Sequence, residues 1–195
     1  MRRKWILRLS AVAVLVSFLG GSLYASPPVP RVNESATSTG NWLYIDRSTT
    51  LLRNLKDVAA KLNRDAETLN TFHRNPQISW QSHSHYLNLV RGRINEAGSM
   101  LRELQGMRHA VAPWQQHAID RVTPVAADVA THTGAAINHL VENRSSIHFA
   151  EYKDRLQMLT ESSVEMKNRI NNVLDYAETK QELQRLQTKL GVENL

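Results

Sequence analysis

The residues from Trp80 to Leu104 constrain this chain more than any other stretch. Trp80, His83, Leu87, Val90, Ile94, Ala97, Leu101 and Leu104 are spaced alternately by three and four positions. An α-helix turns every 3.6 residues, so this spacing keeps all eight side chains on one narrow stripe. A stripe that long predicts a long helix with helical partners along its whole length. His83 is the one member that does not suit a plain apolar seam.

The same spacing recurs in three further segments. A first helix is expected from about Arg47 to Phe72, capped by Asp46 or Ser48. Its stripe is Leu55, Val58, Leu62, Leu69 and Phe72, with Asp65 or Ala66 filling the gap. Asn75-Pro76 ends it, because the residue before a proline disfavours the helical region. Ser79 is placed to cap the second helix, which carries the opening stripe and runs to Leu104 or as far as His109. Pro113 suits the first turn of a third helix. There Ile119, Val122, Ala126, Val129, Ala136, Ile137 and Leu140 share a face, and Pro124 predicts a kink. After the break at Asn143-Arg144-Ser145-Ser146, a fourth helix shows Phe149, Tyr152, Leu156, Leu159, Ser163, Met166, Ile170, Val173 and Ala177. Its apolar line then shifts to Leu183, Leu186 and Leu190, and Gly191 is the expected stop.

No segment follows a strand period, and the breaks between helices are short, which favours antiparallel neighbours. The fold class expected is all-α: an up-down-up-down four-helix bundle with an extended C-terminal helix, over residues 46–191, followed by a tail at 192–195. Merging the second and third helices through Pro113 gives a three-helix alternative. The fourth helix overshoots its partners. Its leucines 183, 186 and 190 have two places to go: the apolar segment Trp42-Leu43-Tyr44-Ile45, or the same helix of a second chain. Packing within the chain, or fraying, is the favoured outcome, since three leucines make a short coiled coil.

The N-terminus reads as a secretory signal over residues 1–25. Arg2, Arg3 and Lys4 form a basic start, Leu9–Leu19 is an apolar core, and Leu23-Tyr24-Ala25 precedes a cleavage point. Arg2-Arg3-Lys4-Trp5-Ile6-Leu7 resembles a twin-arginine export signal, without the usual Ser or Thr before the arginines. The alternative is an uncleaved membrane anchor spanning residues 5–24. Residues 26–45 read as a disordered linker rich in Pro, Ser, Thr and Gly, closing on the short apolar segment. These features place the chain in a periplasm or outside the cell.

Removing the signal changes the charge argument. Four of the 24 basic residues precede Ala25 and no acidic residue does, leaving 20 basic against 18 acidic and a net charge of +2. Nucleic acid is therefore not an expected partner. The chain contains no cysteine, which excludes disulfides, lipidation of a cysteine, c-type haem attachment and thiol catalysis.

Catalytic patterns are missing from the sequence: there is no H-E-x-x-H, no G-x-S-x-G, no phosphate-cradling glycine loop and no E-x-x-H pair. A haem bundle of the cytochrome b562 type needs a Met on the first helix and a His late in the fourth, and this chain has neither. No catalytic or cofactor-binding residue is assigned, and an enzyme is not expected.

The eight histidines are the compositional oddity. None are three or four apart, so no single helix presents two on adjacent turns. Folding the chain as a bundle nevertheless gathers His73, His83, His85, His139 and His148 at one end, with His85 pointing away. Two readings follow. The residues are ordinary helix-end histidines, or His83, His139 and either His73 or His148 supply the ligands of a transition-metal ion, the one cofactor the sequence allows. A protonation-sensitive end is a third possibility. Phe72, Trp80, Phe149 and Tyr152 fall at the same end, either as core or as the lining of a ligand pocket. The functional expectation is an exported, non-catalytic helical bundle acting by binding or assembly. Its partner is an unknown protein or a second copy met through the C-terminal helix. The alternative is a metal- or small-molecule-binding bundle using the histidine-rich end.

Overall fold

A computed structural model describes residues 34–75, 77–144, 147 and 149–191, with side chains described from Trp42 onward. The expected signal, residues 26–33 of the linker, Pro76, Ser145, Ser146, His148 and the tail at 192–195 lie outside the described residues. The described chain is four α-helices packed against one another: α1 (Glu34–Phe72), α2 (Trp80–Gly106), α3 (Pro113–Glu142) and α4 (Ala150–Leu190). A 3-10 turn, Arg108–Ala110, lies between α2 and α3. No strand occurs among the described residues, and no described helix is long and apolar enough to cross a membrane.

Each helix packs mainly on two others, α1 on α2 and α4, and α3 on α2 and α4. The seam on α2 is buried as its spacing predicts: His83, Leu87, Val90, Ile94, Ala97, Leu101 and Leu104 are enclosed, while Trp80 at its start is half-buried. From α1, Leu55, Val58, Leu62, Ala66 and Leu69 enter the same core. Ile119, Val122, Ala126, Val129 and Leu140 join from α3, and Leu156, Leu159, Met166 and Ile170 from α4. Fully burying side chains of this size contributes about 1.5–3 kcal/mol each, so this continuous core holds the helices together without a disulfide.

Cross-helix contacts fix which ends meet. Arg47, in the first half of α1, pairs with Glu103 near the end of α2 at 2.7 Å. Midway along, Ser163 Oγ of α4 donates to Asn63 Oδ1 of α1 at 3.2 Å, and Thr160 Oγ1 donates to the Ala66 carbonyl at 3.3 Å. Ser163 is thus a polar member of an apolar seam because its hydroxyl is bonded across it.

The structure departs from the sequence expectation in five places. First, α1 starts at Glu34 rather than Arg47, so residues 34–45 are helical instead of linker. No proline interrupts this stretch. At its junction with the core, the Gln115 amide of α3 donates to the Ile45 carbonyl at 2.8 Å. Second, α4 begins at Ala150, and Phe149 adopts extended dihedrals as its N-cap. Phe149 therefore falls outside the helical period and is 65% exposed, while Ile147 is buried. Third, Ser79 caps α2 through its backbone only: its carbonyl accepts from the Ser82 and His83 amides, and its side chain makes no cap bond. Fourth, Leu174 is buried on α4 where Val173 was expected, and Val173 is half-buried. Fifth, the leucines of the α4 extension are neither frayed nor covered. The helix continues through Leu190 to Gly191, whose φ of 67° is the left-handed turn that favours glycine. Leu183, Leu186 and Leu190 remain 56%, 45% and 72% exposed, and Trp42, Leu43 and Tyr44 are exposed as well. Pro124 lies within α3, which is continuous through it.

Candidate functional site

The histidine end is built from the end of α1, the start of α2, the end of α3 and the start of α4. Each apolar stripe brings one polar or aromatic residue there. His83 is fully buried on the α2 seam, and Tyr152 is fully buried one turn into α4. Tyr152 Oη lies 3.2 Å from His83 Nδ1. The rings of Phe72 and His83 meet edge-on at 5.5 Å, and Phe72 meets Tyr86 in the same way at 5.0 Å.

His139 also meets Tyr152, its ring stacked on the phenol ring at 5.4 Å and 18°. Tyr152 is thus in ring contact with both histidines, His83 lying tilted at 56° to it at 5.4 Å. Burial pushes the Tyr152 hydroxyl well above its ordinary range, so it stays protonated and able to donate. It can donate to His83 Nδ1 only while that nitrogen carries no proton. His139 Nδ1 stands 3.7 Å from Glu151 Oε1. A hydrogen bond from Arg155 at 2.7 Å is the main reason the Glu151 carboxyl is held below the usual carboxylate range, with the His139 charge adding to it.

The other sequence candidates are placed differently. His73 directs Nδ1 at the Asn70 carbonyl of its own helix. His85 is exposed, as expected, and touches Tyr86 edge-on. His148 lies outside the described residues. Trp80 is half-buried beneath the Arg144 guanidinium, 4.5 Å from its ring centre, an arrangement that covers the ring with a cation. Among the described residues, no three His, Asp or Glu are grouped to hold a metal ion. What the end offers chemically is a buried aromatic and imidazole cluster in which His139 Nε2 makes no hydrogen bond among the described residues.

At the opposite end, where the sequence reading places the α4 overhang, two features escaped it. Gln115, on the first turn of α3, is fully buried. Its amide donates to the Ile45 carbonyl and to Thr49 Oγ1 at 2.9 Å, and its carbonyl accepts from the Ala112 amide at 2.9 Å. One side chain thereby caps α3 and ties it to α1. Its signal in the sequence was small, a glutamine two residues after the helix-opening Pro113. On the outer side of this junction, α3 and α4 border a groove of about 840 Å³, with Trp114 and Tyr176 among its lining residues. Four lining side chains, His117, Arg121, Arg169 and Lys180, are basic, and none is acidic. These residues sit at helical spacings on two helices, so no local motif announces them. No protein-family model, curated protein or solved structure matches the chain.

Proposed function

We propose that this chain is an exported, non-catalytic protein that acts by binding and assembly. Its frame in this reading is an up-down-up-down four-helix bundle whose fourth helix extends past the core to pair with a second copy. The observation that carries the reading is the row Leu183, Leu186 and Leu190, which stays in regular helix while exposed. Isolated helical segments of this length are marginal in water, so an uncovered apolar row favours a partner. Covering three leucines is worth about 1.5–3 kcal/mol each, enough for reversible self-association.

Export rests on the Arg2–Ala25 segment of the sequence. N-terminal sequencing of the chain recovered outside the cytoplasm should begin at Ser26. A start at Met1 would replace the free form with the anchored one. Light scattering on the exported chain tests assembly: mass rising with concentration is expected, and a monomer at every concentration would remove the self-association reading and leave a different protein as the partner.

A further inference from the structure

We propose that the groove between α3 and α4 binds a small organic anion, a sulfonate, carboxylate or phosphate joined to an aromatic or alkyl body. Three other junctions carry ion pairs, whereas α1 and α4 are joined by neutral hydrogen bonds. Where α1 meets α2, Arg47 faces Glu103 and Arg93 faces Asp65. Where the 3-10 turn meets α3, Arg108 holds Asp120 with two bonds of 2.8 and 2.6 Å. At the far end of the α3–α4 boundary, His139 faces Glu151. Each of these boundaries sets a base against an acid.

The groove breaks that pattern. His117 and Arg121 of α3 share it with Arg169 and Lys180 of α4, so basic side chains border it from both helices. Arg169 is ion-paired within its own helix to Glu165, and reaches across only to the Arg121 carbonyl at 3.3 Å. Arg121 and Lys180 have no ion-pair partner among the described residues. His117 interacts electrostatically with Asp120, a carboxylate that Arg108 holds more closely at 2.6 Å. Like charges bordering one concave site repel, and a bound anion relieves that repulsion.

The rest of the lining selects the anion's body. Trp114, Val173 and Tyr176 supply aromatic and apolar surface beside the cations. A bare inorganic ion would leave that surface wet. The volume is in the range of sites for small organic ligands. Aromatic faces flanked by cations suit a flat ring or chain ending in a negative group.

The test uses the full chain and two fluorescent probes with one aromatic body, 8-anilinonaphthalene-1-sulfonate and its uncharged relative N-phenyl-1-naphthylamine. The sulfonate should bind about tenfold or more tightly than the neutral probe, and R121Q/K180Q should weaken the sulfonate about tenfold. R91Q/R102Q, which removes two exposed cations from α2, should leave its binding within about twofold. Helicity measured on each variant keeps unfolding separate from loss of the site. Equal binding of both probes, or equal loss in both double variants, would overturn the proposal by reducing it to apolar adsorption or net charge. Inorganic sulfate binding as tightly as the probe would overturn the apolar half. Charge-dependent capture on phosphatidylglycerol vesicles without binding of the free probe would assign the groove to a membrane surface and overturn the small-ligand reading.

Discussion

At one end of these helices, polar groups are enclosed: His83 and His139 both contact Tyr152, and Phe72 meets His83 edge-on. At the other end, cations and aromatic rings border an open groove, and the leucines of the α4 extension stand in solvent. The first end carries the residues that a search for chemistry selects, held among buried aromatic rings. The second carries ordinary surface residue types, and packing gathers basic side chains from two helices there with no acidic residue in the lining. A site of the second kind is made by packing, and residue type alone does not mark it.

The sharpest way to break this contrast is to make one substitution at both ends. Leu87→Ala, one turn from His83 and enclosed in the core, should cost about 3 kcal/mol in denaturant unfolding. Leu186→Ala should cost less than about 0.5 kcal/mol when measured on the dissociated chain. Comparable losses would mean that the α4 extension is as much a part of the folded unit as the core.

Gln115→Ala should come next, at about 2 kcal/mol, since it leaves the Ala112 amide without its partner and removes the bonds from α3 to Ile45 and Thr49 of α1. Hydrogen exchange should then quicken around Ile45–Thr49 of α1 and in the first turn of α3 while α2 keeps its protection. Uniform quickening would show that Gln115 supports the whole core rather than one junction.

Tyr152→Phe is the smaller change, about 1 kcal/mol near neutral pH for the lost bond to His83. Its pH dependence is more diagnostic. Burial raises the Tyr152 hydroxyl above its ordinary value of 10.0, so the unfolded chain releases that proton first as pH rises. The stabilisation is complete below about pH 10 and is lost above it, with a slope of at most about 1.4 kcal/mol per pH unit. Unfolding measured from pH 8 to 12 should therefore fall more steeply in the parent than in Tyr152→Phe. Parallel curves would contradict the burial of this phenol.

Much of the helical frame was legible because apolar spacing is a direct record of which face is buried. The seven enclosed positions of the α2 seam follow from arithmetic on the sequence, as does the stop at Gly191. The start of α1 was not legible, since a Ser- and Thr-rich stretch reads as linker when only its composition is weighed. Phe149 misled because periodicity was extended one residue past a helix start set by backbone dihedrals.

At the histidine end, the sequence brought His83, His139 and Tyr152 to one end but not the bond of Tyr152 to His83 or its stacking on His139. That placement depends on how α4 is rotated against α2 and α3. The groove was invisible for a related reason. Arg121 and Lys180 lie on different helices, and only packing makes them line one space.

The central claim is that α4 past the core is an assembly surface, and sedimentation velocity on the exported chain beside its Leu183→Ser, Leu186→Ser, Leu190→Ser variant tests it most directly. The account predicts a concentration-dependent shift to a dimer or larger species in the parent, and a monomer of unchanged helicity in the variant. Identical sedimentation of the two at every concentration would contradict it.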